Sequence, residues 1–365
     1  MTPGEIIKTK LADKGWTQDD LSKILGRPLQ TINEIITGKK SITPETATGL
    51  AFAFGDDPEM WMRTENAYRL SLVKSDPAVS ARARLFDVAP VKEMEGRNWI
   101  RKSETVDELE QELCSFFGVR DLNSEPQINV STRRSVQEAF LNAPQRAWCF
   151  RAKQLAKLLP AAEFSQSAFN KGVEKLRQLA AWPEETRKVS RVLSEMGIRF
   201  VIVQQLKKTR IDGAALWLDE NSPVIALSLR YDRIDSFWHT LTHELSHVKH
   251  KDSNTVDIDL VGEKRRSLAE LDQIELRADR EAASTLIPSE VLDDFVSRTS
   301  PLYSRVKINQ FANRIRIHPG IIVGQLQHRG ELSYSTHRPL LVKVRDIVTS
   351  ECMTDGWGHC LSIKD

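Results

Sequence analysis

Apolar residues between positions 231 and 250 recur every three or four residues, which is the spacing of a helix with one buried face. No proline or glycine interrupts this stretch, so the pattern predicts one continuous helix. A second helical pattern covers Leu271–Leu286 and stops before Pro288. Its Ala278 and Ala282 give small contacts that suit close packing against another helix. The two patterns therefore predict two long helices in this part of the chain.

Two histidines on the first predicted helix are placed to bind one metal ion. Residues four apart lie on the same helix face, so the imidazoles of His243 and His247 can reach a single ion. Glu244 follows the first histidine, where its carboxylate can act on a metal-bound water instead of binding the metal. The His-Glu-x-x-His spacing therefore indicates a candidate catalytic zinc site.

The second predicted helix offers a third protein ligand. Glu275 and Asp279 are four residues apart and share one helix face. Two histidines and one glutamate would leave zinc a fourth position open for water, which is the arrangement of catalytic zinc sites. Periodicity alone does not exclude three competing carboxylates, which are Glu270, Asp272 and Glu281.

The run Phe237–His250, followed by Glu275–Pro288, resembles the two site helices of the ImmA/IrrE family of zinc metallopeptidases. The resemblance covers roughly residues 185 to 295 and implies a zincin-like domain with a short β-sheet. Three upstream segments resemble the strands of that family: Gly197–Val203, Ile211–Leu218 and Pro223–Leu229.

This resemblance also implies the roles of the site residues. His243, His247 and Glu275 would bind Zn²⁺, and Asp279 would lie beside these ligands. Zinc of this kind polarises a substrate carbonyl and lowers the pKa of its bound water to about 7. Glu244 would take the water proton as general base. The donor for the developing oxyanion stays open among Tyr231, His239 and Arg277.

A separate pattern occupies the N-terminus. Thr17–Leu25 and Leu29–Ile36 are short helical segments, joined by the turn residues Gly26, Arg27 and Pro28. Thr17, with Asp20 three residues later, is a variant of the capping box that starts a helix. Two short helices joined by a tight turn indicate a helix-turn-helix, whose second helix enters the major groove of DNA.

Residues 2 to about 72 resemble the Cro/C1-type (XRE) domain, and more narrowly the HigA antitoxin branch, through Ile35–Pro44 and Pro58–Arg63. The domain implies a double-stranded operator DNA partner. Glutamine and asparagine can pair with adenine, and cationic side chains and helix N-termini contact phosphates. The candidate base-contacting residues are Gln30, Thr31, Asn33 and Glu34, and the candidate phosphate contacts are Thr17, Gln18, Arg27, Lys39 and Lys40.

Net charge, apolar runs and cysteine spacing limit the classes of protein that fit this sequence. The chain has 365 residues and a net charge of +2, so DNA binding must depend on a local patch and not on bulk charge. No apolar run approaches the roughly 18 residues of a membrane span. The four cysteines show no Cys-x-x-Cys spacing, which favours reduced thiols and a cytoplasmic location.

These observations predict a mainly α-helical chain with a small α+β part. We expect a five-helix DNA-binding domain, a helical connector, a metallopeptidase domain and a helical C-terminal extension. Their predicted bounds are residues 1–74, 75–184, 185–295 and 296–365.

The leading functional hypothesis is a bacterial or phage-encoded transcriptional regulator with zinc-dependent endopeptidase activity. It would act as a homodimer on operator DNA and cleave a repressor, a toxin or itself to switch expression. The alternative is a HigA-like antitoxin or repressor whose zincin domain binds a toxin or senses a signal without catalysis.

Overall fold

The computed structural model describes residues 1–73, 77–123, 126, 141–252, 254–261 and 273–359. The chain divides into two units, Met1–Ser80 and Ala81–Asp365. The described residues are mainly α-helical with one small β-sheet, which confirms the predicted fold class. Among them, no helix is both long enough and apolar enough to span a membrane.

Five helices form the N-terminal unit, as predicted. Its core contains Leu21, Ile32, Leu50 and Trp61, each at most 2% exposed. The helices are α1 (Pro3–Lys14), α2 (Gln18–Leu25), α3 (Leu29–Ile36), α4 (Pro44–Phe54) and α5 (Pro58–Leu72).

The turn between α2 and α3 follows from its residues. The predicted capping box at the start of α2 is present, since the Thr17 hydroxyl accepts from the Asp20 amide and the Asp20 carboxylate accepts from the Thr17 amide. Gly26 ends α2 with φ of +61°, a left-handed conformation that glycine adopts without strain. Pro28 precedes the first residue of α3 and blocks continuation of α2.

A five-stranded sheet lies at the centre of the larger unit, with strand order β4-β2-β3-β1-β5. Strand β1 runs parallel to β3 and β5, whereas β2 runs antiparallel to β3 and β4. The first three strands confirm the strands expected from the family resemblance, and the two short edge strands were not anticipated. The strands are β1 (Arg199–Val203), β2 (Ile211–Trp217), β3 (Pro223–Leu227), β4 (Thr255–Ile258) and β5 (Met353–Asp355).

Twelve described α-helices accompany this sheet, together with short 3₁₀ turns at Pro183–Lys188 and Arg338–Leu340. Their bounds are α6 (Pro77–Val88), α7 (Val91–Gly96), α8 (Val106–Phe117), α9 (Ala143–Lys157), α10 (Gln166–Leu179), α11 (Val189–Glu195), α12 (Ile234–His250), α13 (Gln273–Leu286), α14 (Ser289–Thr299), α15 (Arg305–Ile315), α16 (Pro319–His328) and α17 (Arg345–Thr349).

Alternate strand residues enter two different cores, one on each face of the sheet. Val201 and its neighbours pack with Trp148 of α9 and Leu113 of α8 on one face. Phe200 and its neighbours pack with Phe237 and other residues of α12 on the opposite face. The segment predicted as a connector thus contributes α8 and α9 to the core of the larger unit.

A buried ion pair attaches the C-terminal strand to this unit. Asp355 at the end of β5 is 0% exposed and accepts a hydrogen bond of 2.6 Å from Nε of Arg151 on α9. The indole N–H of Trp99 donates to the same carboxylate at 3.1 Å. Arg151 is itself only 2% exposed, so bulk water hydrates neither of the two charges.

We predict that Asp355→Ala lowers the free energy of unfolding of the larger unit by about 3–5 kcal/mol, because it removes one partner of a buried ion pair and the acceptor of the Trp99 indole N–H. Urea denaturation followed by circular dichroism measures the change. Glu195→Ala is the control, since it removes a carboxylate from an exposed pair with Lys175 and should change stability by no more than about 1 kcal/mol. Similar small losses in both variants would contradict the role assigned to Asp355.

Candidate metal centre and nucleic-acid interface

Helix α12 brings both predicted histidine ligands to one point. His243 and His247 are 0% exposed, because the polar face of this helix lies under β2 and α13. Nε2 of His243 is 3.3 Å from Oε2 of Glu275, and Nε2 of His247 is 3.8 Å from Oε1 of the same carboxylate. The three residues predicted as zinc ligands therefore converge in the structure.

The other nitrogen of each imidazole faces a carboxylate. Nδ1 of His243 is 3.2 Å from Oδ1 of Asp279, and Nδ1 of His247 is 2.9 Å from Oδ2 of Asp252. In metal sites such partners fix the ring orientation and the tautomer of a ligating histidine. The pairs direct both Nε2 atoms towards Glu275, and they place Asp279 beside the candidate ligand His243.

Sequence reasoning missed Asp257, which is also part of the cluster. One ligand atom from each of His243, His247, Asp257 and Glu275 lies within 4.8 Å of the others. Asp257 belongs to the short strand β4, and its carboxylate is brought to the histidines by pairing of that strand with β2. The β-branched residues of Thr255–Ile258 are the signal that could have predicted this strand.

The carboxylate of Glu244 is buried directly beside the cluster. The residue is 0% exposed, and neither of its carboxylate oxygens has a hydrogen-bond partner among the described residues. Space for it comes from Gly213 of β2, where a Cβ atom would lie 2.3 Å from Oε1 of Glu244. The pairing of β2 with β4 has an irregularity between Ile211 and Gly213, next to this close approach.

The cluster has more carboxylates than cationic partners. Burial raises the pKa of Glu244, and the negative charge of Asp257 raises it further, well above its ordinary value. Burial lowers the pKa of His243, but the surrounding carboxylates, with Asp257 the strongest, outweigh this and hold the pKa well above its usual range. A divalent cation bound among these groups would balance the excess negative charge.

The alternative ligand candidates differ in position. Glu281 accepts one hydrogen bond from the Ser246 hydroxyl, and its other carboxylate oxygen lies 2.8 Å from Nε2 of the exposed His250. Glu270 and Asp272 lie outside the described residues. Glu275 is thus the predicted carboxylate that the structure places against both histidines.

The candidate oxyanion donors also have defined neighbours. Nε2 of His239 lies 3.6 Å from Oδ1 of Asp279, one helical turn before His243. Arg277 pairs with Asp252, the carboxylate that holds His247. Tyr231 lies under the guanidinium of Arg230, with 4.8 Å between the guanidinium carbon and the ring centroid.

The predicted DNA-contacting residues lie on the accessible surface of the N-terminal unit. Helix α3 buries Ile32, Ile35 and Ile36, so its polar residues face solvent. The amide of Gln30 donates to the carboxylate of Glu34 at 3.0 Å, which links two candidate base-contacting side chains. Thr17, Gln30, Asn33, Lys39 and Lys40 are exposed, whereas Gln18, Arg27, Thr31 and Glu34 are partly exposed.

Comparison with known proteins concerns this N-terminal unit. A helix-turn-helix family model matches residues 7–55. The chain is 30% identical over 83 residues to the uncharacterized HTH-type transcriptional regulator YddM of Escherichia coli (strain K12), a match covering 23% of this chain and 88% of that protein. It is 35% identical over 75 residues to virulence-associated protein I of Dichelobacter nodosus, covering 20% of this chain and 69% of that protein. Through its N-terminal residues, the chain therefore belongs to the helix-turn-helix family.

Proposed function

We propose that this protein is a DNA-binding transcriptional regulator that carries a zinc-dependent endopeptidase. The DNA-binding part rests on the helix-turn-helix family match and on the exposed polar face of α3. The peptidase part rests on the cluster of buried metal-binding groups in the larger unit. The observation that carries it is the buried, unpartnered carboxylate of Glu244 beside two converging histidines.

His243, His247 and Glu275 would hold the zinc ion. Their donor set of two imidazoles and a carboxylate is typical of catalytic zinc sites. The fit is supported by Nε2 of His247 and Oδ2 of Asp257, which are buried without a hydrogen-bond partner among the described residues. Zinc bound there would polarise the substrate carbonyl and activate water for attack.

Glu244 would act as the general acid and base of peptide hydrolysis. Its carboxylate takes the proton of the attacking water and then delivers it to the leaving amine. Burial suits this role, because the carboxylate lies beside the histidines and accepts no hydrogen bond from the described residues, so it is available to the water proton. A purely structural metal site has no need of a buried carboxylate that binds neither metal nor protein.

The substrate that we propose is a helix-turn-helix repressor, a toxin partner or a second copy of this chain. A DNA-binding domain in the same chain raises the effective concentration of the peptidase near proteins bound at the same operator. Two copies on a two-fold symmetric operator would be the matching arrangement for a helix-turn-helix protein. We also propose that the protein acts in the cytoplasm, where operator DNA is located.

We predict that Glu244→Gln retains zinc but loses peptide cleavage by about 10²- to 10⁴-fold, because it removes only the proton-transfer group. Zinc content is measured by mass spectrometry of the purified full chain, and cleavage is measured on repressor substrates and on the chain itself.

His243→Ala is the matched variant for this experiment, and we expect it to lose zinc and cleavage together. Zinc in the wild type without cleavage of any offered protein would favour the non-catalytic antitoxin or sensor. A wild type without zinc would contradict the proposal.

For DNA binding, we predict that Lys39→Ala weakens binding to all sequences and reduces the slope of log K against log salt by about 0.9, because one phosphate contact is lost. Asn33→Ala should instead remove about 1–3 kcal/mol of discrimination at a single base pair. Binding to an operator library at several salt concentrations measures both effects.

Lys171→Ala is the control, since it removes an exposed lysine from α10 in the larger unit. An equal change of salt slope in this control would show that Lys39 makes no specific phosphate contact.

A further inference from the structure

We propose that Asp257 is a fourth protein ligand of the metal and that it closes the coordination position that a substrate needs. The site would then be closed in most molecules, and peptide cleavage would proceed through the minority of molecules in which the strand that carries Asp257 has moved. This inference rests on the proposed zinc centre and concerns the regulation of that same site.

Strand β4 directs Asp257 into the cluster. Side chains of a strand alternate between its two faces, and in β4 Thr255 and Asp257 are buried while Val256 and Ile258 are partly exposed. Asp257 lies opposite Gly213 of β2, whose missing side chain opens the space beside α12. The strand register therefore places this carboxylate at the metal site.

The distances from Asp257 to the two histidines are those of a further metal ligand. Oδ2 of Asp257 lies 3.5 Å from Nε2 of His243 and 3.8 Å from Nε2 of His247. The Nδ1 atoms of these rings already face Asp279 and Asp252, so Asp257 is not needed to orient the imidazoles. It approaches the same nitrogen atoms that Glu275 approaches, which are the atoms that would bind the metal.

The burial of Asp257 supports the same conclusion. The residue is 5% exposed, and its Oδ2 has no hydrogen-bond partner among the described residues. A buried carboxylate oxygen without a hydrogen bond is strongly destabilising unless a cation satisfies it. The metal that the two histidines and Glu275 would hold is the cation placed to do so.

A neighbouring ion-pair network fixes the end of the strand. Asp259, the residue after β4, is 2.9 Å from Nη1 of Arg230 and 2.9 Å from Nε of Arg210. Arg230 also forms a bidentate ion pair with the buried Asp212. Its Nε donates to Oδ1 at 2.8 Å, and its Nη2 donates to Oδ2 at 3.0 Å. These contacts hold β4 against β2 and thereby hold Asp257 in the cluster.

A fourth protein ligand changes what the site can do. Closed zinc sites have four protein ligands, whereas catalytic sites keep one position for water or substrate. With Asp257 bound, the substrate carbonyl would have no free position, although Glu244 stays in place beside the metal. Because β4 is a four-residue edge strand, paired through β2, its displacement would open the site without unfolding the sheet.

The test is an azide titration of the full-length protein loaded with Co²⁺, whose visible absorption bands respond to a change of ligands. We expect azide to leave the bands of the wild type unchanged. In Asp257→Asn, azide should enter the vacated position and shift the bands, and zinc affinity should fall by at least about tenfold. Asparagine has nearly the shape of aspartate, so the packing of β4 is preserved.

Glu281→Gln is the matched control, because it removes a nearby carboxylate that lies outside the ligand cluster. We expect it to behave as the wild type. If azide shifts the bands of the wild type as readily as those of Asp257→Asn, the position is open and the inference fails while the zinc centre stands. The wild-type titration gives this result even if the variant does not fold.

Failure of the zinc centre itself has a different signature. A wild type that binds neither Co²⁺ nor Zn²⁺ overturns the proposed peptidase and the role of Asp257 together. Equal zinc affinities of the wild type and Asp257→Asn, measured by competition with a chelator, overturn the role of Asp257 alone.

Discussion

The larger unit depends on keeping a group of ionisable side chains buried between α12, α13 and the β2–β4 edge of the sheet. His243 and His247 of α12 each use Nδ1 to contact a carboxylate, which leaves both Nε2 atoms facing Glu275 and Asp257. Without a cation, this arrangement buries several negative charges in a small volume, at a large cost in free energy. The surrounding helices and strands bring these groups within 4.8 Å of one another, and the proposed zinc centre rests on this proximity.

The packing around α12 explains how one helix can have both an apolar core face and a face of candidate metal-binding residues. Phe237, Trp238 and Leu241 lie in the core on one face of the sheet. The opposite helix face carries the histidines and Glu244, and it fits against β2 because Gly213 has no side chain there. The Thr242 hydroxyl lies 2.8 Å from the Trp238 carbonyl oxygen of its own helix and 3.2 Å from the Ala282 carbonyl oxygen of α13, so the two helices are in close contact at this point. The buried alanines of α13 allow this close approach.

Much of this site follows from local sequence patterns, and the rest depends on pairing between distant segments. The helical period and the four-residue spacing predict the positions of His243 and His247. Glu275 could be chosen over other carboxylates only through a family resemblance, because several share the same helical period. Asp257 could not be placed, since β4 has four residues and reaches the cluster only by pairing with β2. The role of Asp355 could not be predicted for the same reason, because its partner Arg151 lies 204 residues away in the sequence.

One chain carries a helix-turn-helix unit and a buried cluster of metal-binding groups, and we propose that this cluster holds zinc through its imidazole and carboxylate groups. X-ray absorption at the zinc edge of the purified full-length protein tests this claim most directly. We predict a shell of nitrogen and oxygen atoms at about 2.0–2.2 Å, with no sulfur. A sulfur shell near about 2.3 Å, or a protein purified without zinc that takes up none when it is offered, would contradict it.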